Sequence, residues 1–310
     1  MAQYITKRVV MAIVTIFIIL LMLFIMLRFM PGSPFNDEKL NDTQIEQLNE
    51  KYGLNKPIQV QFFNYVINVM KGDFGVSYSI SKDSDISVML NTRVKVSFRI
   101  GGQAVLLGAI IGLLLGIAAA LNHNTFADTL CTVISVLGVS LPSYVFGLAL
   151  AYFVGFKAGW LPLLYDEKQT FLSSVMPTIA LCMFTVATVA RFTRSEMLEV
   201  LGSEYMLLAE SKGIYGPKLI YRHALRNALI PILTVLAPLV VDLMIGSLVI
   251  EKIFAIPGIG SLMVTAIQSN DYNVTIAIAF IYSAMYIFLM LIVDILYGII
   301  DPRIRLSNKE

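Results

Sequence analysis

Charge is scarce in this chain. Only 14% of its 310 residues are Asp, Glu, Lys or Arg, against about 25% in ordinary soluble domains. Hydrophobic residues make up 57% and the mean hydropathy is +0.76, which excludes one or two soluble domains of this length. The net charge of +2 says little, because placement matters more than the sum. Cysteine is scarce too: Cys131 and Cys182 both fall inside apolar runs, where they read as packing residues and support neither a disulfide nor a metal site. The two histidines, His123 and His223, stand in different polar loops without a visible triad partner. No GxxxxGK[ST], HExxH, GxSxG or CxxC pattern occurs, so the sequence offers no enzymatic constellation. If ATP drives this protein, a different chain hydrolyses it.

What is abundant is apolar sequence in span-length runs. Lys7 and Arg8 precede a first run over 9–30, interrupted only by Arg28 and ended by Met30-Pro31-Gly32. It is too long for the apolar region of a cleavable signal and lacks a small-residue cleavage site, so an uncleaved first transmembrane helix is expected. Arg28 is placed to snorkel to the interface. Five further runs follow at 100–121, 130–156, 171–189, 229–250 and 274–300, each near the ~20 residues that cross a bilayer core. The expected fold class is an all-α polytopic membrane protein with six transmembrane helices. Gly108, Gly112 and Gly116 put one glycine stripe on the second run, a packing feature first and a pore-lining one second. Pro142, Pro177, Pro231 and Pro238 lie in or at the start of spans and predict kinked helices able to line a cavity.

Between the first two runs lies a polar stretch over 35–95. Asn41-Asp42-Thr43 offers caps for a helix reaching Tyr52 and stopped by Gly53. Pro57 opens an amphipathic helix with Ile58, Phe62, Val66 and Met70 on one side, broken at Gly72-Asp73-Phe74-Gly75. The stretch is too short to bind a solute alone and is expected to cap the outer face of the bundle. The domain plan is thus 1–30 first helix, 31–95 extracellular segment, 96–300 transmembrane core and 301–310 tail.

Six spans place 1–8, 122–129, 190–228 and 301–310 on one side, with two, none, six and three basic residues, while the opposite short loops hold two and one. The basic bias puts both termini and the loop at 191–231 in the cytoplasm. Two acids lie inside spans. Asp294 sits about two turns from the cytoplasmic end and can reach the interface. Asp242 is thirteen residues into its run, about 20 Å deep at 1.5 Å per residue. A charge there must face the bundle interior, a partner helix or an aqueous path, either as a structural pair or as part of a translocation path. One acid without a basic counterpart in another span, and no internal repeat, weigh against an ion-coupled secondary carrier.

The longest polar island in the second half runs over 191–231. Gly202-Ser203 provides a helix start with Ser203 as N-cap and Glu204 in the first turn. The helix runs through Tyr205 to Lys212 and ends at Gly213 in the left-handed conformation. Gly216-Pro217 starts a second helix with a basic row at Lys218, Arg222 and Arg226. Tyr205, Met206, Leu207 and Leu208 are too many apolar groups for a free turn, so the short helix must bury them on its own bundle or on another protein. Docking to a partner is the expectation.

This island resembles the EAA loop of binding-protein-dependent ABC importers. Ala209, Gly213 and Leu225 match that pattern, while Leu207, Leu208, His223 and Arg226 depart from it. EYMLLAESKG and RHALRNALIP look like its peptide-permease version, and the resemblance extends over nearly the whole chain: MPGSP (30–34), YGLNKPIQVQF (52–62), GDFGVS (72–77), SLPSYVFG (140–147), GWLPLL (159–164), ARFTRSEMLEVL (190–201), EKIFAIPGIG (251–260) and DPRIRL (301–306). The chain is similar to permeases of the oligopeptide, dipeptide and nickel family, most of all to the B-type permease of oligopeptide importers. The resemblance implies the type I importer permease fold and a non-catalytic subunit. It implies a second homologous permease, two cytoplasmic ATPases, an extracellular peptide-binding protein and a lipid bilayer as partners, and no nucleic acid. ATP and Mg would be held by the ATPases, with no cofactor or metal on this chain. Glu204, Tyr205, Met206, Leu208, Ala209, Lys212, Gly213, Ile214 and Tyr215 would form the ATPase-docking surface, and Asp242 is the candidate for the path. Dipeptides or nickel are the alternative cargoes.

Overall fold

The computed structural model describes residues 2–28, 43, 46–47, 50, 55–244 and 247–300. Among these, the only sheet-like feature is an isolated bridge between Val76 and Asp85. The rest is helix and turn: α1 (Ala2–Arg28), α2 (Ile58–Met70), α3 (Ile86–Leu121), α4 (Phe126–Ser140), α5 (Ser143–Leu150), α6 (Thr170–Leu201), α7 (Glu204–Ser211), α8 (Leu225–Met244), α9 (Leu248–Ile253), α10 (Ile259–Gln268) and α11 (Tyr272–Ile300). A π-helical stretch, Ala151–Lys157, prolongs α5. A turn at Pro217–Leu219 and a second π stretch, Ile220–Ala224, lead into α8. The helix expected over 43–52 falls largely outside the described residues.

Among the described residues, four helices are long and apolar enough to cross a membrane, within Ile5–Met26, Ile86–Leu121, Glu167–Leu201 and Tyr272–Ile295. Two further spans are bent pairs. The first is broken by 99° between α4 and α5, and the second bends by 42° between Leu229 and Pro231. The run at 130–156 is therefore two segments rather than one helix, because Pro142 has no N–H to continue α4. Counting each bent pair as one span gives six.

Packing of the glycine stripe decides how the first pair counts. A Cβ built on Gly108, Gly112 or Gly116 would come within 2.7, 2.7 and 2.5 Å of the Cβ of Thr185, Val189 and Thr193. The stripe is thus a helix contact that only glycine permits. Residue numbers rise together on both sides, so α3 and α6 run in the same direction. Two membrane helices can do so only if the chain between them crosses back once. Counted as that crossing, the α4–α5 pair is one bent span.

The chain forms two compact units, one from 98–256 with the chain from 292 on, the other from 2–97 with 257–291. In the first unit α6 is the central helix, with Met176, Ala180, Val189, Ala190 and Met197 buried along it. Gly138 of α4 approaches Met183 and Ala187, and Gly147 of α5 approaches Ala180 and Ile250. Cys131 and Cys182 are free, buried thiols that fill this packing.

In the second unit α2 lies along the flank of α1. The Phe62 ring meets Phe17 at 5.7 Å and Phe24 at 5.4 Å, and Tyr65 meets Phe24 at 6.4 Å. Of the face predicted for α2 only Phe62 is buried, with Val66 half-buried and Ile58 and Met70 exposed. The covered row is Phe62, Tyr65, Val66 and Val69. A strict four-residue row gains about 40° per step on a helix of 3.6 residues per turn, so its two ends rotate out of the contact. A second core joins Ile86 and Leu90 to Ile259, Leu262, Ala266, Val274 and Ile278. Above it Asp271, fully buried, accepts hydrogen bonds from Ser77 Oγ (2.5 Å) and the N–H groups of Ser79 (2.9 Å) and Ile80 (3.1 Å).

Candidate functional site

The 191–231 island continues directly from α6. Ser203 starts α7 in extended geometry (φ −81°, ψ 152°), but its hydroxyl donates to the Val200 carbonyl at 2.5 Å instead of accepting from the new helix. The expected start is in place, then, without the expected side-chain cap. The other end follows the sequence closely. Gly213 takes φ +80°, its N–H donates to Glu210 O at 2.9 Å, and Ile214 N–H reaches back to Ala209 O at 3.2 Å. This crossed pair of bonds closes α7 and needs the left-handed residue that glycine supplies without strain. Gly216 (φ +65°) turns the chain again before Pro217 opens the next helical segment.

The two faces of α7 have different partners. Met206 and Ala209, 2% and 7% exposed, sit in a cluster with Met197, Leu219, Ala224, Ala228 and Ile232. Ile214 is half-buried against the same cluster. Met206 and Ala209 were expected on a docking surface; they are instead the anchor that holds α7 to its own bundle, being three residues apart and hence on one face. Glu204, Tyr205, Leu208, Lys212, Gly213 and Tyr215 are exposed. Leu207, which the resemblance did not single out, is the most open apolar group of α7, and Tyr221 on the neighbouring π stretch is exposed as well. Five large apolar or aromatic side chains (Tyr205, Leu207, Leu208, Tyr215 and Tyr221) thus stand uncovered around one short helix, the type of surface that marks a contact with another protein. The π stretch widens the turn at Tyr221 and has no composition signal of its own, although such insertions often mark functional positions. It also interrupts the basic row, whose members Lys218, Arg222 and Arg226 are all exposed.

An ion cluster invisible in the sequence steadies the base of the island. Asp128, buried in the first turn of α4, receives Arg194 Nε at 2.6 Å on one oxygen and the other guanidinium nitrogen at 2.8 Å on the second. His123 Nδ1 lies 3.2 Å from the same carboxylate and Asn124 N–H donates to it at 3.0 Å. The bidentate fork joins the start of α4 to the part of α6 that carries the island. A cavity of about 210 Å³ adjoins it, lined by Ala119, Cys131, Ser135, Ala190, Arg191 and Arg194 among others. Nothing local in the sequence marked the fork, since Arg194 is 66 residues beyond Asp128. Asp242 is not in the bundle interior: its side chain is exposed on α8. Among the described residues, no group of three or more His, Cys, Asp or Glu is placed to hold a metal.

Residues 112–306 match the family described as binding-protein-dependent transport system inner membrane component. Residues 1–94 match the N-terminal model for the membrane component of such systems. The dipeptide transport system permease protein DppB of Lactococcus lactis is 42% identical over 99% of this chain and all of its own. That of Bacillus subtilis is 39% identical over the full length of both. The oligopeptide transport system permease protein OppB of Haemophilus influenzae is 37% identical over 98% of this chain and all of its own. In fold, the inward-facing MetNI methionine ABC transporter superposes with a TM-score of 0.57 at 14% identity, covering 69% of this chain and 97% of that one. With bent spans, a helix-borne island and a family match over most of its length, the chain belongs to the inner membrane components of binding-protein-dependent transport systems.

Proposed function

We propose that this chain is the translocation subunit of an ATP-driven importer that takes up peptides delivered by an external binding protein. Full-length similarity to peptide permeases at 37–42% identity carries the reading. In this reading the exposed side of α7, with Tyr205, Leu207, Leu208 and Tyr215, seats in a cytoplasmic ATPase, and Met206 and Ala209 pass the movement into the bundle. Both termini are cytoplasmic and 31–95 lies outside, as the basic loops favour. The partners are a second, homologous permease, two ATPases that hold ATP and Mg, and the binding protein; the chain itself is not catalytic. Oligopeptides are the cargo class to which the quoted motifs point, while the two relatives named for dipeptides stand slightly above the oligopeptide one in identity and favour dipeptides as the second reading.

Reconstitution tests both. Proteoliposomes carrying the assembled complex, supplied with loaded binding protein, are expected to accumulate radiolabelled peptide only with ATP inside the compartment that bears the ATPases. A labelled dipeptide competed by longer peptides separates the two cargo readings. Uptake by this chain without any ATPase, driven by an ion gradient, would overturn the proposal.

A further inference from the structure

The 99° break between α4 and α5 packs against the middle of α6 and is open on one side. Its depth follows from its neighbours: just before it Gly138 packs on Met183 and Ala187, and just after it Gly147 packs on Ala180. Those residues are the middle of α6 (Thr170–Leu201). Its openness follows from Leu141 and Tyr144, which are 47% and 45% exposed, with Ser140 and Pro142 also exposed and Ser143 half-exposed. A break of this type frees the last carbonyls of one helix and the first N–H groups of the next. Pro142 adds to the deficit, having no N–H to return to α4. In hydrocarbon each such group costs several kcal/mol, so irregular backbone at this depth survives only against protein or water.

Resting on the importer reading above, we infer that the segment Ser140–Tyr144 lines the aqueous route of the solute, with the Ser140 and Ser143 hydroxyls and the freed peptide groups as its polar wall. A partner helix would need donors and acceptors matched to a right-angled bend. Water meets them without such matching, and an importer must offer a polar surface at this depth in at least one of its states. A peptide, which carries amide groups along its length, can exchange hydrogen bonds with the same wall.

The test uses Ser140→Cys and Ser143→Cys in the full complex, in a background where the buried Cys131 and Cys182 are replaced by Ala. Each is treated in proteoliposomes with a charged, membrane-impermeant methanethiosulfonate and, separately, with N-ethylmaleimide. Both positions are expected to react with the charged reagent, at rates that change at least several-fold between ATP-bound and nucleotide-free complex, and the attached charge is expected to abolish uptake. Reaction with N-ethylmaleimide alone would place the segment against lipid, and reaction with neither would place it against protein; either result overturns the inference. ATP-dependent uptake by the unlabelled variants is measured in parallel, so that a failure of the importer reading shows as lost uptake in the parent complex rather than as absent labelling.

Discussion

Truncating the two faces of α7 separately tests whether this helix is an anchored docking element. Met206→Ala removes a side chain that is 2% exposed, and burial of that order sets a cost of about 2–5 kcal/mol for Met to Ala. Leu208→Ala removes one that is 55% exposed, for which the isolated chain is expected to change by no more than about 0.5 kcal/mol. The order reverses in the complex. An apolar side chain seated in a partner's groove costs more than about 1 kcal/mol when truncated, which is about five-fold in affinity. Purified in detergent, Met206→Ala should therefore melt several degrees below the parent, and Leu208→Ala should melt with it. In nanodiscs titrated with the ATPase subunits, Leu208→Ala should bind about five-fold more weakly or worse and lose peptide-stimulated hydrolysis in proportion. The reasoning is refuted if Leu208→Ala binds the ATPases like the parent, or if Met206→Ala melts like the parent.

Gly213→Pro removes the N–H that closes α7 and forbids φ +80°; ATP hydrolysis is expected to continue while peptide uptake falls to background at normal subunit levels. Gly116→Ala places a Cβ 2.6 Å from the Ala190 carbonyl oxygen, whereas Gly102 has nothing within 4 Å. The first should cost about 1–3 kcal/mol by overpacking and the second should hold or raise the melting temperature, as thermal unfolding followed by size exclusion would show. Asp128→Asn and Arg194→Gln should each lower stability, and the double variant should be no worse than the poorer single, because both remove one fork. Asp242→Asn should leave the isolated chain's melting unchanged, since the carboxylate is exposed, and any effect should appear only in the uptake of the assembled complex.

Features set by local backbone geometry were legible in the sequence. Gly213 and Pro217 end one helix and start the next through their own φ preferences, and the structure follows them to the residue. The glycine stripe was legible as a helix contact because three residues at four-residue spacing need no knowledge of their partner. What α7 does with its apolar groups was not. Tyr205, Met206, Leu207 and Leu208 surround the helix, and only the position of Met197 and Leu219 in three dimensions decides that Met206 turns inward. The Asp128–Arg194 fork spans 66 residues and has no local signature. Pro142 announced a kink but not a 99° one; the angle is set by how α4 and α5 pack on α6. For Asp242 only depth was legible in the sequence, and depth does not tell which side of a helix meets its own bundle.

The Asp271 clamp has a consequence for the order in which the molecule is made. Its carboxylate holds Ser77 across 194 residues, and Asn273 holds the Val76 carbonyl across 197. Among the described residues, the turn after α2 is thus closed by groups almost two hundred positions later, after everything between has been synthesised and inserted. Contacts of such long sequence separation form late, and until then the turn at Ser77–Ile80 has no carboxylate to receive its N–H groups. The segment that carries α1 and α2 thus leaves the ribosome well before the residues that close it, and during that interval it depends on whatever holds it in the bilayer.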